Sequence, residues 1–133
     1  MDYSKSQKKY PLFPEAETID PWRKDERERQ CKVEAGKAVI ANCKRDVTLI
    51  AWAKSKGLAA WIDRRTIYGN PFHIGTDGDR DEVCDKYAAY LLENQSILNT
   101  LHELQGKVLV CHCFPLRCHG DELLKRITAE VTA

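Results

Sequence analysis

The segment Cys111-His112-Cys113-Phe114-Pro115-Leu116-Arg117-Cys118-His119-Gly120-Asp121 holds three of the chain's six cysteines and two of its four histidines. Side chains of these types support three kinds of role. Thiolates and imidazoles bind zinc in tetrahedral sets, and Cys111, Cys113, Cys118 and His119 would make a Cys3His site. A thiol at a helix N-terminus ionises more readily and attacks electrophiles, with a neighbouring imidazole or carboxylate moving the proton. In that reading Cys118 is the nucleophile, and His119 and Asp121 carry the proton. The third role is structural, with Cys111 and Cys113 as small buried groups of a strand and His119 as a capping side chain. The residues alone leave all three open.

A second segment, Asp63-Arg64-Arg65-Thr66-Ile67-Tyr68-Gly69-Asn70-Pro71-Phe72, suits anion binding. Arg64 and Arg65 offer forked donors to a phosphate or carboxylate. Gly69 permits close backbone approach, and Asn70 before Pro71 favours an extended turn. The plainer alternative is a surface loop with solvated arginines. A third segment, Asp77-Gly78-Asp79-Arg80-Asp81-Glu82, spaces carboxylates like a calcium loop. It fails that pattern, because Glu82 stands where glycine is required and Ala88 where a bidentate glutamate is required. A turn leading into an acid-rich helix start fits better, with Arg80 placed to face a cleft.

The elements that would position these groups follow from pattern. Asp20-Pro21-Trp22 reads as a helix start, with a polar helix to Ala35 and a stop at Gly36. Lys37 to Cys43, with Ala38-Val39-Ile40-Ala41, reads as a buried strand. Asp46 caps a helix from Val47 to Lys56, ended by Gly57. Leu58 to Asp63 is a second strand, and Arg64 to Gly78 a loop. A helix from Asp79 to Asn94 shows Val83, Cys84, Tyr87, Ala88 and Leu91 on one stripe. A short helix starts at Ser96 and runs to Leu104. Lys107 to Cys113 is the strongest strand, through Val108-Leu109-Val110, and a last helix runs from Cys118 to Val131. Trp52 and Trp61 read as core.

This alternation predicts an α/β fold: a small three-stranded, mainly parallel sheet flanked by helices, with an N-terminal helical arm. Residues 1–36 form the charged arm and residues 37–133 the α/β domain. Within the arm, Leu12 and Phe13 are the only apolar cluster before residue 20. In a parallel sheet the ends of the three strands share one edge, where ligands of such sheets bind. That edge would gather Asn42 and Cys43, Arg64 and Arg65, and Cys111 to Cys113.

Composition narrows the function. The chain has 133 residues, 43% hydrophobic and 31% charged, which suits one small globular domain. Twenty-one basic against twenty acidic residues leave a net charge of +1, so a general nucleic-acid coat or polybasic membrane binder is not expected. No apolar run approaches the roughly 20 residues that span a bilayer. Met1 to Tyr10 is polar and lysine-rich, unlike a secretory signal. The expected location is therefore the reducing cytoplasm, where cysteines serve as thiols, ligands or nucleophiles rather than disulfides. There is no internal repeat.

The blocks Tyr68-Gly69-Asn70-Pro71-Phe72 and Cys111-x-Cys113-x-Pro115-x-x-Cys118-His119-Gly120-Asp121, with Ile62 to Thr66, Asp77 to Arg80, and Leu109-Val110 before Cys111, resemble the domain of unknown function 4326, over about residues 37–127. The resemblance marks Gly69, Asn70, Pro71, Phe72, Arg80, Tyr87, Cys111, Cys113, Pro115, Cys118, His119 and Asp121 as signature positions. His112 and Tyr68 depart from it, standing where such proteins often carry tryptophan, so His112 adds a ligand or base or is simply a polar substitute. The family is widespread in phages and bacteria and implies a phage or mobile-element accessory protein, with no established activity. Together these readings predict binding of a phosphate-bearing nucleotide or nucleotide-sugar at the sheet's carboxyl edge, with hydrolysis or transfer of a group from it. Arg64, Arg65, Asn70, Arg80 and Gly120 are the expected ligand-binding residues. The alternative is a zinc-stapled protein that binds a host protein through residues 1–36.

Overall fold

The computed structural model describes residues 20–132, with side chains to residue 128. The Leu12–Phe13 cluster lies outside the described residues. The elements are α1 (Lys24–Glu34), β1 (Val39–Asn42), α2 (Val47–Ser55), β2 (Ala59–Trp61), α3 (Arg80–Leu92), α4 (Gln95–Leu98), a 3-10 turn (Leu101–Leu104), β3 (Val108–Cys111) and α5 (His119–Thr132). The three strands form one sheet in the order β1-β3-β2. Both pairings are parallel, with Val39 and Ala59 each level with Val108. The α/β expectation therefore holds.

β3 lies in the centre because it is apolar on both faces. All four of its residues are buried, as a strand covered on both sides requires. Its side chains alternate between two layers. Leu109 and Cys111 join Ile40 and Ile62 under Tyr87 and Leu91 of α3, Ile97 of α4 and Leu123 and Ile127 of α5. Val108 and Val110 join Val39 and Ala41 under Leu49, Ile50 and Ala53 of α2 and Val33 of α1. Each fully buried aliphatic side chain contributes about 1.5–3 kcal/mol.

Two helix starts differ from the sequence reading. α1 begins at Lys24 rather than beside Pro21. Arg23 is its N-cap, and the Arg23 N–H donates to Glu26 Oε1 at 3.0 Å. Asp46 does stand at the N-cap of α2, but its side chain makes no cap bond there. Its carboxylate is taken by Arg29 (3.0 Å), Arg23, Arg45 (2.7 Å) and the Asn42 N–H (2.8 Å). The open N–H of Leu49 in α2's first turn is met instead by Glu26 of α1, at 2.9 Å. Buried Glu26, Arg29 and Val33 thus dock α1 onto the body, and Arg29 also covers the edge of β1 by donating to Ile40 O at 2.8 Å. Residues 20–36 are part of the packed layers rather than a free arm. The segment from Ser96 to Leu104 is likewise two pieces, α4 and the 3-10 turn, separated at Asn99 and Thr100. α3 begins as the sequence suggests, with Asp79 Oδ1 accepting the Glu82 N–H at 2.8 Å.

Candidate functional site

A cleft of about 360 Å³ opens at the carboxyl ends of β2 and β3, within the size range of small-molecule sites. The loop after β2 supplies Asp63, Arg64, Asn70 and Phe72. α3 supplies Arg80, Val83 and Cys84. The β3–α5 turn and the start of α5 supply His112, Cys113, Cys118 and His119.

Three thiols gather where β3 gives way to α5: Cys113 and Cys118 line the cleft, and Cys111 lies buried beneath them. Cys118 is buried, and its Sγ donates towards Cys111 Sγ at 3.8 Å. Hydrogen bonding to Cys111 and to Cys113, reinforced by burial, raises the Cys118 pKa far above that of an ordinary thiol. Cys113 moves the other way. The Cys118 hydrogen bond lowers it against the opposing effect of burial, and the Arg80 guanidinium beside it adds to the lowering. Cys111 is lowered by the same donor, against burial, with help from the N–H groups of Phe114 and Cys113. Cys118 therefore keeps its proton, and Cys113, half-buried at the cleft wall, is the better thiolate. These directions favour Cys113 over Cys118, the helix-start thiol singled out in the sequence. Cys84, buried on α3, is raised by desolvation.

His119 is held in the cleft wall. Its Nε2 hydrogen-bonds to Ile62 O, which fixes the proton on Nε2. Its ring meets Tyr87 edge-on, centroids 5.0 Å apart. Burial lowers its pKa, against the carbonyl bond and the Cys113 charge, so it stands neutral in the cleft wall. Although three sulfurs gather nearby, no group of three or more His, Cys, Asp or Glu side chains among the described residues is placed to hold a metal ion.

The remaining expected residues divide. Arg64 lines the cleft while its Nε donates to Asn70 O at 2.9 Å and an Nη to Phe72 O at 3.3 Å, so it also shapes the loop. Gly69 is required there, because a Cβ would fall 2.5 Å from Arg64 Cα. Arg80 donates one Nη to Arg117 O at 3.0 Å and faces the thiols. Arg65 is outside the cleft, stacked on Trp61 at 3.6 Å and paired with Asp63 at 2.9 Å. Asn70 is spent internally, donating to Val83 O at 3.2 Å and accepting the Phe72 N–H at 2.9 Å. Asp121 accepts the Cys118 N–H at 3.0 Å and lines a different groove, between α1 and α5. Gly120 is buried, and a Cβ there would come within 2.7 Å of Ile40 and 2.9 Å of Ile62. Of the N–H groups at this helix start, that of Cys118 is taken by Asp121 and that of Gly120 faces the Cys118 sulfur.

This architecture has a sequence counterpart. A family model described as a domain of unknown function, DUF4326, matches residues 41–129. The chain belongs to that family. The DUF4326 match begins within β1 and ends in α5, so it contains every residue of the cleft and leaves α1 outside. An uncharacterized protein of Acanthamoeba polyphaga mimivirus is 27% identical over 95 residues, covering 65% of this chain and 68% of its own length. No solved structure matches. Asp63, His73, Ile74, Val83 and Cys84 line the cleft without being marked as site residues by the sequence. Asp63 ends the second strand and opens the Arg64–Arg65 segment in the sequence, with no role of its own assigned there. Cys84 gave no signal apart from its position on the apolar stripe of α3. Among the described residues no helix is long and apolar enough to cross a membrane.

Proposed function

We propose that this DUF4326 protein binds a phosphate-bearing small molecule, of the nucleotide or nucleotide-sugar class, in the cleft at the carboxyl edge of its sheet. Cys113 is the thiol that attacks the bound molecule, so a group is transferred or hydrolysed from it. The observation that carries this reading is the meeting of Arg64, Arg80 and Cys113 in one cleft beyond the strand ends, the place where parallel sheets hold ligands. Two guanidiniums complement a phosphate, and Phe72 offers a ring beside the polar groups for a base or sugar. Arg65, Asn70, Asp121 and Gly120 have no direct contact with the ligand in this reading. A phage or mobile-element setting is consistent with the viral relative and remains part of the proposal.

The test is a panel of nucleotides and nucleotide-sugars screened by thermal shift and then by calorimetry. A binder should lose about tenfold or more in affinity in Arg64→Ala and in Arg80→Ala, the size expected for a charge-assisted contact. Cys113→Ser should bind the same molecule and fail to convert it. If no member of the panel binds, or if the double arginine variant binds as well as the unaltered protein, the reading fails.

A further inference from the structure

At the rim of the cleft, which Asp63 and His112 help to line, side chains from the ends of all three strands meet in a line. Cys43 follows β1, Asp63 follows β2 and His112 follows β3. Cys43 Sγ lies 3.3 Å from His112 Nδ1. His112 Nε2 lies 2.9 Å from Asp63 Oδ2. An ionised carboxylate only accepts, so the imidazole proton sits on Nε2 and Nδ1 faces the thiol as an acceptor. Asp63 is itself held by the Arg65 N–H at 3.2 Å and the Arg65 Nε at 2.9 Å, and the His112 ring leans on Trp61 with centroids 6.3 Å apart. The group is reachable: Cys43 is only partly buried and the His112 side chain is 52% exposed.

We propose that Cys43 is a second nucleophile of this protein, with His112 as its general base and Asp63 as a positioning residue, and that it accepts acyl groups from activated esters or thioesters. Nucleophile, imidazole and orienting carboxylate within hydrogen-bond reach are the arrangement that activates a thiol. The substrate class follows from the surrounding backbone. The N–H of Cys43 is bound to Cys111 O, and those of Lys44 and Arg45 to Asn42 Oδ1. None is free to stabilise an oxyanion, so an acyl donor with a good leaving group fits and a peptide amide does not. The inference stands apart from the phosphate-binding reading, which uses Arg64, Arg80 and Cys113.

The step balances without a cofactor. The Cys43 proton passes to His112 Nδ1 as sulfur attacks the carbonyl carbon. The C–S bond forms, the bond to the leaving oxygen or sulfur breaks, and the leaving group takes the proton back from Nδ1. Water then gives a proton to Nδ1, attacks the acyl-cysteine, and releases a carboxylic acid and the free thiol.

The experiment is acylation of the full chain by p-nitrophenyl acetate, with the adduct located by peptide mass mapping. The expected result is acetyl on Cys43 by mapping, formed in a burst that persists in Cys113→Ser, and lost from that position in Cys43→Ser. His112→Ala should slow Cys43 acylation about 100-fold, the usual contribution of a positioned base. Asp63→Asn should slow it less and shift the pH at which the rate rises, which a merely structural carboxylate would not do. Iodoacetamide labelling of the unaltered chain needs no variant and uses exposed Cys31 as an internal reference. Labelling of Cys43 no faster than Cys31 between pH 6 and 9, or a Cys43 rate unchanged by His112→Ala, overturns the proposal.

Discussion

At the scale of single residues, the cleft turns on which sulfur holds the shared proton. Cys118 sits where a helix dipole favours a thiolate, yet its hydrogen bond to Cys111, the nearby Cys113 and burial raise its pKa. Cys113, near Cys118 and beside the Arg80 guanidinium, is lowered by both against the effect of burial. Alkylation followed residue by residue should therefore show Cys113 reacting well below the ordinary thiol pKa of about 8.5, with Cys118 inert. Cys118→Ala should raise the pH at which Cys113 reacts, because its first stabilising donor is gone; an unchanged profile would mean Arg80 alone sets it. His119 gives a second prediction. Its folded pKa lies below the unfolded value of about 6.5. Between the two values the unfolded chain binds the extra proton, so stability present at neutral pH is lost as pH falls through the folded pKa. Denaturant melts of His119→Gln should lose part of the slope between pH 7 and 5 that the unaltered chain shows. The cluster of reactive types was legible in the sequence. The choice among its thiols was not, since it depends on burial and on an Arg80 that lies far away in the chain.

At the scale of elements, helix existence and order were legible because caps and apolar stripes are local. The acid-rich start at Asp79 announced α3, and Gly57 ended the helix that precedes β2. What failed were roles set by a neighbour from elsewhere in the chain. Asp46 occupies the cap position of α2, but three arginines claim its carboxylate while Glu26 caps the helix from α1. Asp46→Ala should thus cost more than the roughly 1 kcal/mol of a lost cap. Leaving buried Arg29 without its main partner costs about 3 kcal/mol or more, readable in urea melts; a loss near 1 kcal/mol would show the cluster to be worth little. Gly120 makes a similar point about packing. Alanine in an exposed helix usually gains about 1 kcal/mol over glycine. Here the added Cβ meets Ile40 and Ile62, and overpacking of this kind costs about 1–3 kcal/mol. Gly120→Ala should lower the melting temperature, and a raised one would mean α5 can shift outward freely.

At the scale of the whole molecule, three strands, their parallel sense and a shared carboxyl edge followed from alternation alone. The order β1-β3-β2 did not, because it depends on which strand is apolar on both faces, and Val108-Leu109-Val110 differs only modestly from Val39-Ile40-Ala41. That order places His112, after the central strand, between Cys43 and Asp63. It also leaves β1 at an edge, which α1 covers. A protein working through residues 1–36 cannot therefore be tested by removing all of them. Deleting 1–35 takes away Arg23 and Arg29, leaving buried Asp46 with Arg45 alone among its arginines. It also removes Glu26 from the Leu49 N–H and uncovers the Val39–Ala41 layer. Removing partners from a buried charge costs up to about 3–5 kcal/mol, and the exposed apolar layer adds to that, against a typical total stability of about 5–15 kcal/mol. The 1–35 deletion should melt at least 10 °C lower or without cooperativity, whereas a 1–19 deletion keeps every one of these contacts and should melt cooperatively. Calorimetry of the two truncations decides it. Equal, cooperative melts from both would mean that α1 is dispensable and that its charged network is a surface ornament on a self-sufficient DUF4326 core.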